Sequence, residues 1–363
     1  MPEAAAHLDG TPFALPGALT SCASPAYPGT VPPALSVVVP TFGRVRNWPE
    51  LISALESQTL SVEHFEVVVV DDCSPDETWQ LLVETATRTP LRLVAVRLSE
   101  NVGSGAARTR ALAWCRAAVV AFTDDDCLPS AQWLERLEEP FARRRLDRGS
   151  GLVVQGRTIP RPEEIDAGGP WGRTLWVLRP TWLFETCNIA YRKADLEAAG
   201  GFPSRGSTPA VPSGRQVGED ALAGWRVVEQ GAELVFVADA VVYHRVVPEN
   251  YWSWLGDHRG RAVFPALAAI SPLARRAFWG RWFLSSRSAA MVLAVVATLG
   301  ARVWRRPGLA VAGVLPWVLL ALPEAGARGG RHPALRLSQL AMGDLVGLWA
   351  TAWASVRNRA LVL

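Results

Sequence analysis

Four short, almost wholly apolar runs recur between residues 35 and 122, and two of them end on clustered aspartates. Leu35 to Val39 stops at Pro40. Phe65 to Val70 stops at Asp71-Asp72. Leu91 to Val96 is the third. Ala117 to Phe122 is the fourth, and it leads through Thr123 into Asp124-Asp125-Asp126. Continuous Val-rich runs of this length suit strands buried on both faces of a parallel sheet. The segments between them carry helical spacing. Trp48 to Ser57 places Leu51, Ile52 and Leu55 on one face. Asp76 to Thr87 does so with Trp79, Leu82 and Val83, and Ala106 to Cys115 is Ala-rich around Leu112. The alternation predicts an α/β fold with ligands at the carboxyl ends of the strands. Stacked carboxylates at such an end repel one another and desolvate badly. A hard divalent cation resolves that conflict and commonly also binds substrate phosphate.

Composition narrows the function classes. The 37 Lys+Arg against 34 Asp+Glu leave a net charge of +3, too weak to indicate nucleic acid as a partner. The five cysteines (Cys22, Cys73, Cys115, Cys127 and Cys187) are odd in number and contain no C-x-x-C. They argue against a disulfide framework or a zinc site and fit a reducing compartment. The 16 Trp residues are numerous enough to include anchors at a membrane interface.

Three regions are expected. Residues 1–34, rich in Ala and Pro, read as a disordered lead-in without the pattern of a signal peptide. Residues 35–250 are expected to form one α/β domain that carries the strand-end site. Its strand–helix alternation loosens after Gly151, where Gly151 to Ile159, Thr181 to Ala190 and Glu233 to Val237 read as strands and Glu219 to Gln230 as a helix. Residues 251–363 form a helical, membrane-associated region. Ser288 to Ala301 and Pro307 to Pro323 carry no charge, and Arg302, Arg305 and Arg306 lie between them. Each stretch is shorter than the ~20 apolar residues of a comfortable span, so a hairpin lying on or embedded in one leaflet is expected. Leu337 to Val356 is long enough but contains Asp344.

Five motifs in order resemble those of family 2 glycosyltransferases: Pro40-Thr-Phe-Gly-Arg44, Val70-Asp-Asp-Cys-Ser-Pro-Asp76, Asn101-Val-Gly103 with Ala107-Arg108, Asp124-Asp-Asp126, and Gly218-Glu-Asp220. The resemblance covers residues 35–245. It implies a GT-A fold: a Rossmann-like, mostly parallel central sheet with helices on both faces. It also assigns roles to the motif residues. Pro40, Thr41 and Arg44 would cradle the nucleotide. Asp72 more than Asp71 would meet the base, and Asn101, Gly103 and Arg108 would approach phosphate or the acidic cluster. In an extended acidic run Asp124 and Asp126 would point together while Asp125 turns aside. Asp126 would hold Mg²⁺ or Mn²⁺ on the donor diphosphate, and Asp124 would contact the metal, ribose or sugar. Asp125 is a donor-site candidate only by proximity. His244 is a further metal or diphosphate candidate. Asp220 would be the general base, with Glu219 orienting it or the acceptor, and Asn188 and Arg192 would lie on the acceptor side. Thr109 stands where the family often has Asn.

The resemblance implies inverting transfer of one sugar from a nucleotide-sugar donor to a hydroxyl acceptor. A lipid-linked or envelope glycan is the expected acceptor, and the cytoplasmic side of the cell membrane the expected place. The Gln-x-x-Arg-Trp of processive members is missing; Asp257-His-Arg-Gly-Arg261 is the nearest basic patch. Two competing readings are a non-catalytic sugar-nucleotide-binding protein and a sugar-nucleotide pyrophosphorylase. The latter needs a Gly-rich triphosphate loop that Pro40 to Arg44 does not supply.

Overall fold

A computed structural model describes residues 20–144, 151–204, 206–207, 217–328 and 332–363. The chain divides into two compact units. The first comprises residues 1–157, 186–205 and 227–243, the second residues 158–185, 206–226 and 244–363. The division therefore falls inside the span expected to be one catalytic domain.

A nine-stranded sheet organises the first unit. Its strands are β1 (Thr20–Ala23), β2 (Leu35–Thr41), β3 (Phe65–Asp71), β4 (Arg92–Arg97), β5 (Val119–Phe122), β6 (Cys127–Pro129), β7 (Leu152–Pro160), β8 (Ile189–Arg192) and β9 (Glu233–His244), in the order β1-β4-β3-β2-β5-β8-β7-β9-β6. The helices α1 (Trp48–Glu56), α2 (Thr78–Arg88) and α3 (Ser104–Ala111) connect the parallel strands β2, β3, β4 and β5. Every residue of β2 and β3 is buried, which is why these strands read as unbroken apolar runs. After α4 (Trp133–Arg143), β8, which leads directly into α5 (Lys193–Ala198), pairs antiparallel with β5 and β7, so the sheet is mixed.

Three local expectations are corrected. β2 does not stop at Pro40 but runs to Thr41, in register with β3 through Thr41↔Asp71. The Val38 carbonyl accepts from Thr123 at 3.2 Å, so Pro40, two residues on, faces the same neighbour where β5 has already ended. Its missing N–H therefore breaks no ladder bond. Residues 20–34, expected to be disordered, include β1, which pairs antiparallel with β4 from Thr20↔Arg97 to Ala23↔Val94. Buried Ser24 fixes the segment by donating to the Leu91 carbonyl at 2.7 Å, and Arg92 donates to the Val31 carbonyl at 2.8 Å. The earlier part of that lead-in, residues 1–19, lies outside the described residues. Finally, only the end of Thr181 to Ala190 is a strand. Trp182 and Phe184 adopt φ of 61° and 56°, which no strand tolerates.

In the second unit α6 (Glu219–Glu229), α7 (Tyr251–Asp257) and α8 (Val263–Ile270) precede three long helices, α9 (Ser286–Val303), α10 (Pro307–Arg328) and α11 (Pro333–Asn358). Ala290, Met291, Trp317, Ala321, Ala325 and Leu340 form their shared core. The acid inside α11 is matched rather than exposed. Asp344 accepts from Trp317 Nε1 at 3.0 Å and lies 2.9 Å from Arg287 Nε and 3.3 Å from Arg261 Nη1. α9 and α10 are each long and apolar enough to cross a membrane, and they exceed the uncharged stretches seen in sequence. Their outward faces carry exposed Leu293, Val296, Leu299, Val311, Leu315 and Leu319.

Candidate active site

The carboxyl ends of β2, β3 and β5 bring the motifs of the first unit together. β3 ends on Asp71, whose carboxylate is buried at the strand terminus. Its Oδ1 accepts the Ser74 N–H at 2.9 Å, and Oδ2 lies 3.6 Å from Arg97 Nε. Ser74 Oγ accepts the Gly43 N–H at 2.9 Å, so the loop after β3 holds the loop after β2. Asp72 acts on a third loop. Its two oxygens accept the Val102 and Gly103 N–H groups, each at 2.8 Å, and its carbonyl accepts from Asn101 Nδ2 at 3.3 Å. Gly103 enters α3 at φ 88°, a conformation that a side chain would strain. The Asp-Asp and Asn-x-Gly motifs are therefore one structure: the buried acid of one shapes the backbone of the other.

The acidic triplet is a turn, not an extended run. The Asp124 carbonyl accepts the Cys127 N–H at 3.2 Å. The turn nevertheless separates the three carboxylates. Asp125 is buried and accepts from Thr41 Oγ1 at 2.6 Å, whereas Asp124 and Asp126 retain 29% and 14% of their side-chain exposure. Burial pushes Asp125 up to about 7, against the Thr41 hydrogen bond. Asp124 pairs with Arg108 at 2.6 Å, and Asp126 with Arg44 at 2.9 Å. Arg108 is buried on α3, 5.9 Å from the Phe202 ring, and is no surface charge. Arg44 is half exposed. Burial opposes its charge, but the carboxylates of Asp125, Asp126 and Asp124 outweigh that and raise its pKa.

Asn188 is not placed to meet an acceptor. It is buried in the sheet. Its Oδ1 accepts from Trp133 Nε1 at 2.8 Å, and its Nδ2 donates to the Arg157 and Ala240 carbonyls, both at 2.9 Å. All of the amide's capacity to orient is spent on joining β7, β8 and β9. Arg192 ends β8 and precedes the first turn of α5. Glu219 and Asp220 belong to the second unit, in the first turn of α6, where the helix dipole favours acids. Gly218 before them sits at φ 88°, and a Cβ there would meet Leu267. His244 closes β9, and its Nδ1 hydrogen-bonds the Arg245 carbonyl at 2.8 Å.

Sequence reasoning missed Ser74 and Arg97 as parts of this site. Ser74 resembles a helix cap, but α2 begins later, after Glu77. Arg97 is the last residue of β4, and that position at a carboxyl end is its only signal in the sequence. Among the described residues of the first unit, Asp126 and Cys127 offer ligand atoms within 4.8 Å of each other, and the carboxylates of Asp124 and Asp126 are both partly exposed. The hard anionic oxygens of Asp124 and Asp126, two residues apart, fit Mg²⁺ or Mn²⁺.

Comparison with known proteins agrees with this geometry. The model of glycosyl transferase family 2 matches residues 36–162. Glycosyltransferase AglE of Haloferax volcanii is 35% identical over 222 residues, 60% of this chain and 68% of AglE. An undecaprenyl-phosphate 4-deoxy-4-formamido-L-arabinose transferase of Pseudomonas fluorescens is 35% identical over 104 residues; this match spans 28% of the chain and 31% of that relative. The structure of the mannosyltransferase PcManGT from Pyrobaculum calidifontis, in complex with GDP-Man and Mn²⁺, superposes with a TM-score of 0.53 at 22% identity, covering 91% of this chain and 88% of that one. That likeness establishes the GT-A architecture. The readings as a non-catalytic binder and as a pyrophosphorylase are set aside. The chain belongs to glycosyl transferase family 2 and is a glycosyltransferase of GT-A fold.

Proposed function

We propose that the protein transfers a single sugar from a nucleoside-diphosphate sugar to a hydroxyl acceptor, with inversion at the anomeric carbon, on the cytoplasmic face of a membrane. The observation that carries this reading is the division of the acidic turn: Asp125 is buried on Thr41, while Asp124 and Asp126 stay partly exposed beside Arg108 and Arg44. In this reading the loops after β2 and β3 and the Asn101–Gly103 loop bind the nucleoside. Arg44, reachable from solvent, meets the diphosphate. Asp126, with Asp124, holds a divalent cation. His244 is the remaining candidate ligand. When bound, that cation offsets the negative charge that develops on the departing diphosphate. Asp220 takes the proton of the acceptor hydroxyl as its oxygen attacks the anomeric carbon from the face opposite the diphosphate. The bond to the diphosphate breaks as the new glycosidic bond forms, so a single displacement inverts the centre. Glu219 orients the acceptor or the base, and Arg192 remains the acceptor-side candidate.

Several observations support a lipid-linked acceptor and a membrane. The chain resembles a transferase named for undecaprenyl phosphate, α9 and α10 have membrane-compatible length and composition, and Trp304, Trp349 and Trp353 are exposed. Free cysteines throughout fit the cytoplasmic side.

The test is release of nucleoside diphosphate from a panel of nucleotide-sugars with Mg²⁺ or Mn²⁺, with and without lipid extract. Release from at least one donor is expected, and release from none overturns the proposal. Asp220→Asn should keep donor binding and lose turnover; retained turnover rejects Asp220 as the base.

A further inference from the structure

Within the second unit, the segment from Gly172 to Trp176 and the α7–α8 region line an open cavity of about 470 Å³. It has no part in the acidic turn or in the loops described above. Its wall combines two tryptophans, Trp176 and Trp254, with Arg173, Glu249, Asp257 and Arg261. Trp176 is 49% exposed. Trp254 is held in place by neighbouring rings, 4.5 Å from Trp171 and stacked on Tyr251 at 6.0 Å.

The charges of this wall cancel. Arg173 Nε lies 2.8 Å from Glu249 and 3.7 Å from Asp257. Glu324, also in the wall, is paired with Arg287 and lies 3.8 Å from Arg336. Arg261 is answered by Asp344 at 3.3 Å. The three acids and two arginines of the wall are thus each paired, and with the partners Asp344, Arg287 and Arg336 counted, four acids stand against four arginines. Paired charges beside aromatic rings suit a neutral ligand that carries both hydroxyl groups and an apolar face. The volume lies in the range that seats a small ligand.

We propose that this cavity is a saccharide subsite that binds a neutral pyranose unit of the acceptor. The proposal rests on the reading that the acceptor is a glycan or a lipid-linked sugar. The aromatic rings of Trp176 and Trp254 take the apolar face of the sugar ring, and the planar carboxylates and guanidinium groups take its hydroxyls. The position of the acceptor would then be set by a part of the chain other than the donor motifs.

Saturation-transfer NMR tests this with the full chain in a detergent without a sugar headgroup. The probes are the methyl pyranosides of glucose, galactose, mannose and N-acetylglucosamine, with no nucleotide present. Transfer to the ring protons of at least one probe is expected. It should fall about fivefold in Trp176→Ala, as loss of one aromatic contact implies. Exposed Asp257→Asn, whose substitution leaves the core intact, should also weaken it, and decides alone if circular dichroism shows Trp176→Ala misfolded. Asp126→Asn should leave the signal unchanged. No transfer from any probe overturns the subsite, as does transfer that survives both cavity variants or is lost in Asp126→Asn. Diphosphate release by the wild type is scored separately, so failure of the cavity and failure of the glycosyltransfer reading are distinguishable.

Discussion

At the scale of single residues, the site is governed by which carboxylates the fold buries. Asp72 is adjacent to Asp71 in sequence, yet the two have different duties. Asp71 is buried under Ser74 and Arg97, whereas Asp72 accepts two backbone N–H groups. Replacing Asp72 by Ala strands the Val102 and Gly103 donors in a partly buried setting and should cost about 2 kcal/mol, read as a shift of the denaturant midpoint. The conservative Asp72→Asn should recover part of it; an unchanged midpoint in Asp72→Ala rejects this role. His258 offers a prediction about pH. Burial, reinforced by the Arg261 charge, lowers its pKa from 6.5 to about 4. Between those values the unfolded chain binds a proton that the folded chain does not. The stability owed to neutral His258 is therefore complete above pH 6.5 and falls away as pH drops towards 4. Melting temperatures at neutral pH and in this window should show a smaller acid loss for His258→Gln than for the wild type.

At the scale of elements, strands and loops differ in how far local chemistry decides them. The Val-rich cores of β2 and β3 announce themselves because both faces are buried. The end of β2 does not, since Pro40 resembles a stop until the sheet shows that its absent N–H lies beyond β5. β1 was hidden for a different reason. Four residues on a sheet edge, burying little, need no apolar pattern. Asn188 looked like a ligand group because an Asn beside a strand is polar wherever it points. Here it ties three strands to Trp133. Asn188→Ala should destabilise the chain by about 3 kcal/mol, because it leaves the Trp133 indole and two carbonyls unsatisfied. Full donor binding in the fraction that stays folded would confirm that its part is structural. On α6, Gly218→Ala meets both a positive φ and Leu267, so it should displace the turn that carries Glu219 and Asp220. Turnover should fall more than nucleotide-sugar binding; an equal loss of both would reject this view.

At the scale of the whole molecule, the chain pairs a mixed sheet bearing a charged site with a helical unit whose surface is apolar. The last turn of α9 carries Arg302 and the α9–α10 connection Arg305 and Arg306, and the two helices expose Leu and Val to their surroundings. Such a surface favours a lipid boundary over water. The protein should sediment with membranes, resist high salt and be released by detergent. Recovery in the soluble fraction at low salt without detergent would reject membrane association.

The sequence alone determined the α/β class, the positions of the parallel strands and the order of the motifs, because buried strands and strand-end acids follow from rules of local burial and charge. Alternation along the acidic run already set Asp125 apart from Asp124 and Asp126; tertiary structure decided that the run is a turn and which partners hold it, giving Asp125 to Thr41, Asp124 to Arg108 and Asp126 to Arg44. It also decided that Asp344 could lie in an apolar helix and that the surroundings of Trp176 form a charge-balanced cavity. Those outcomes depend on partners drawn from distant parts of the chain, and no spacing along the sequence encodes them.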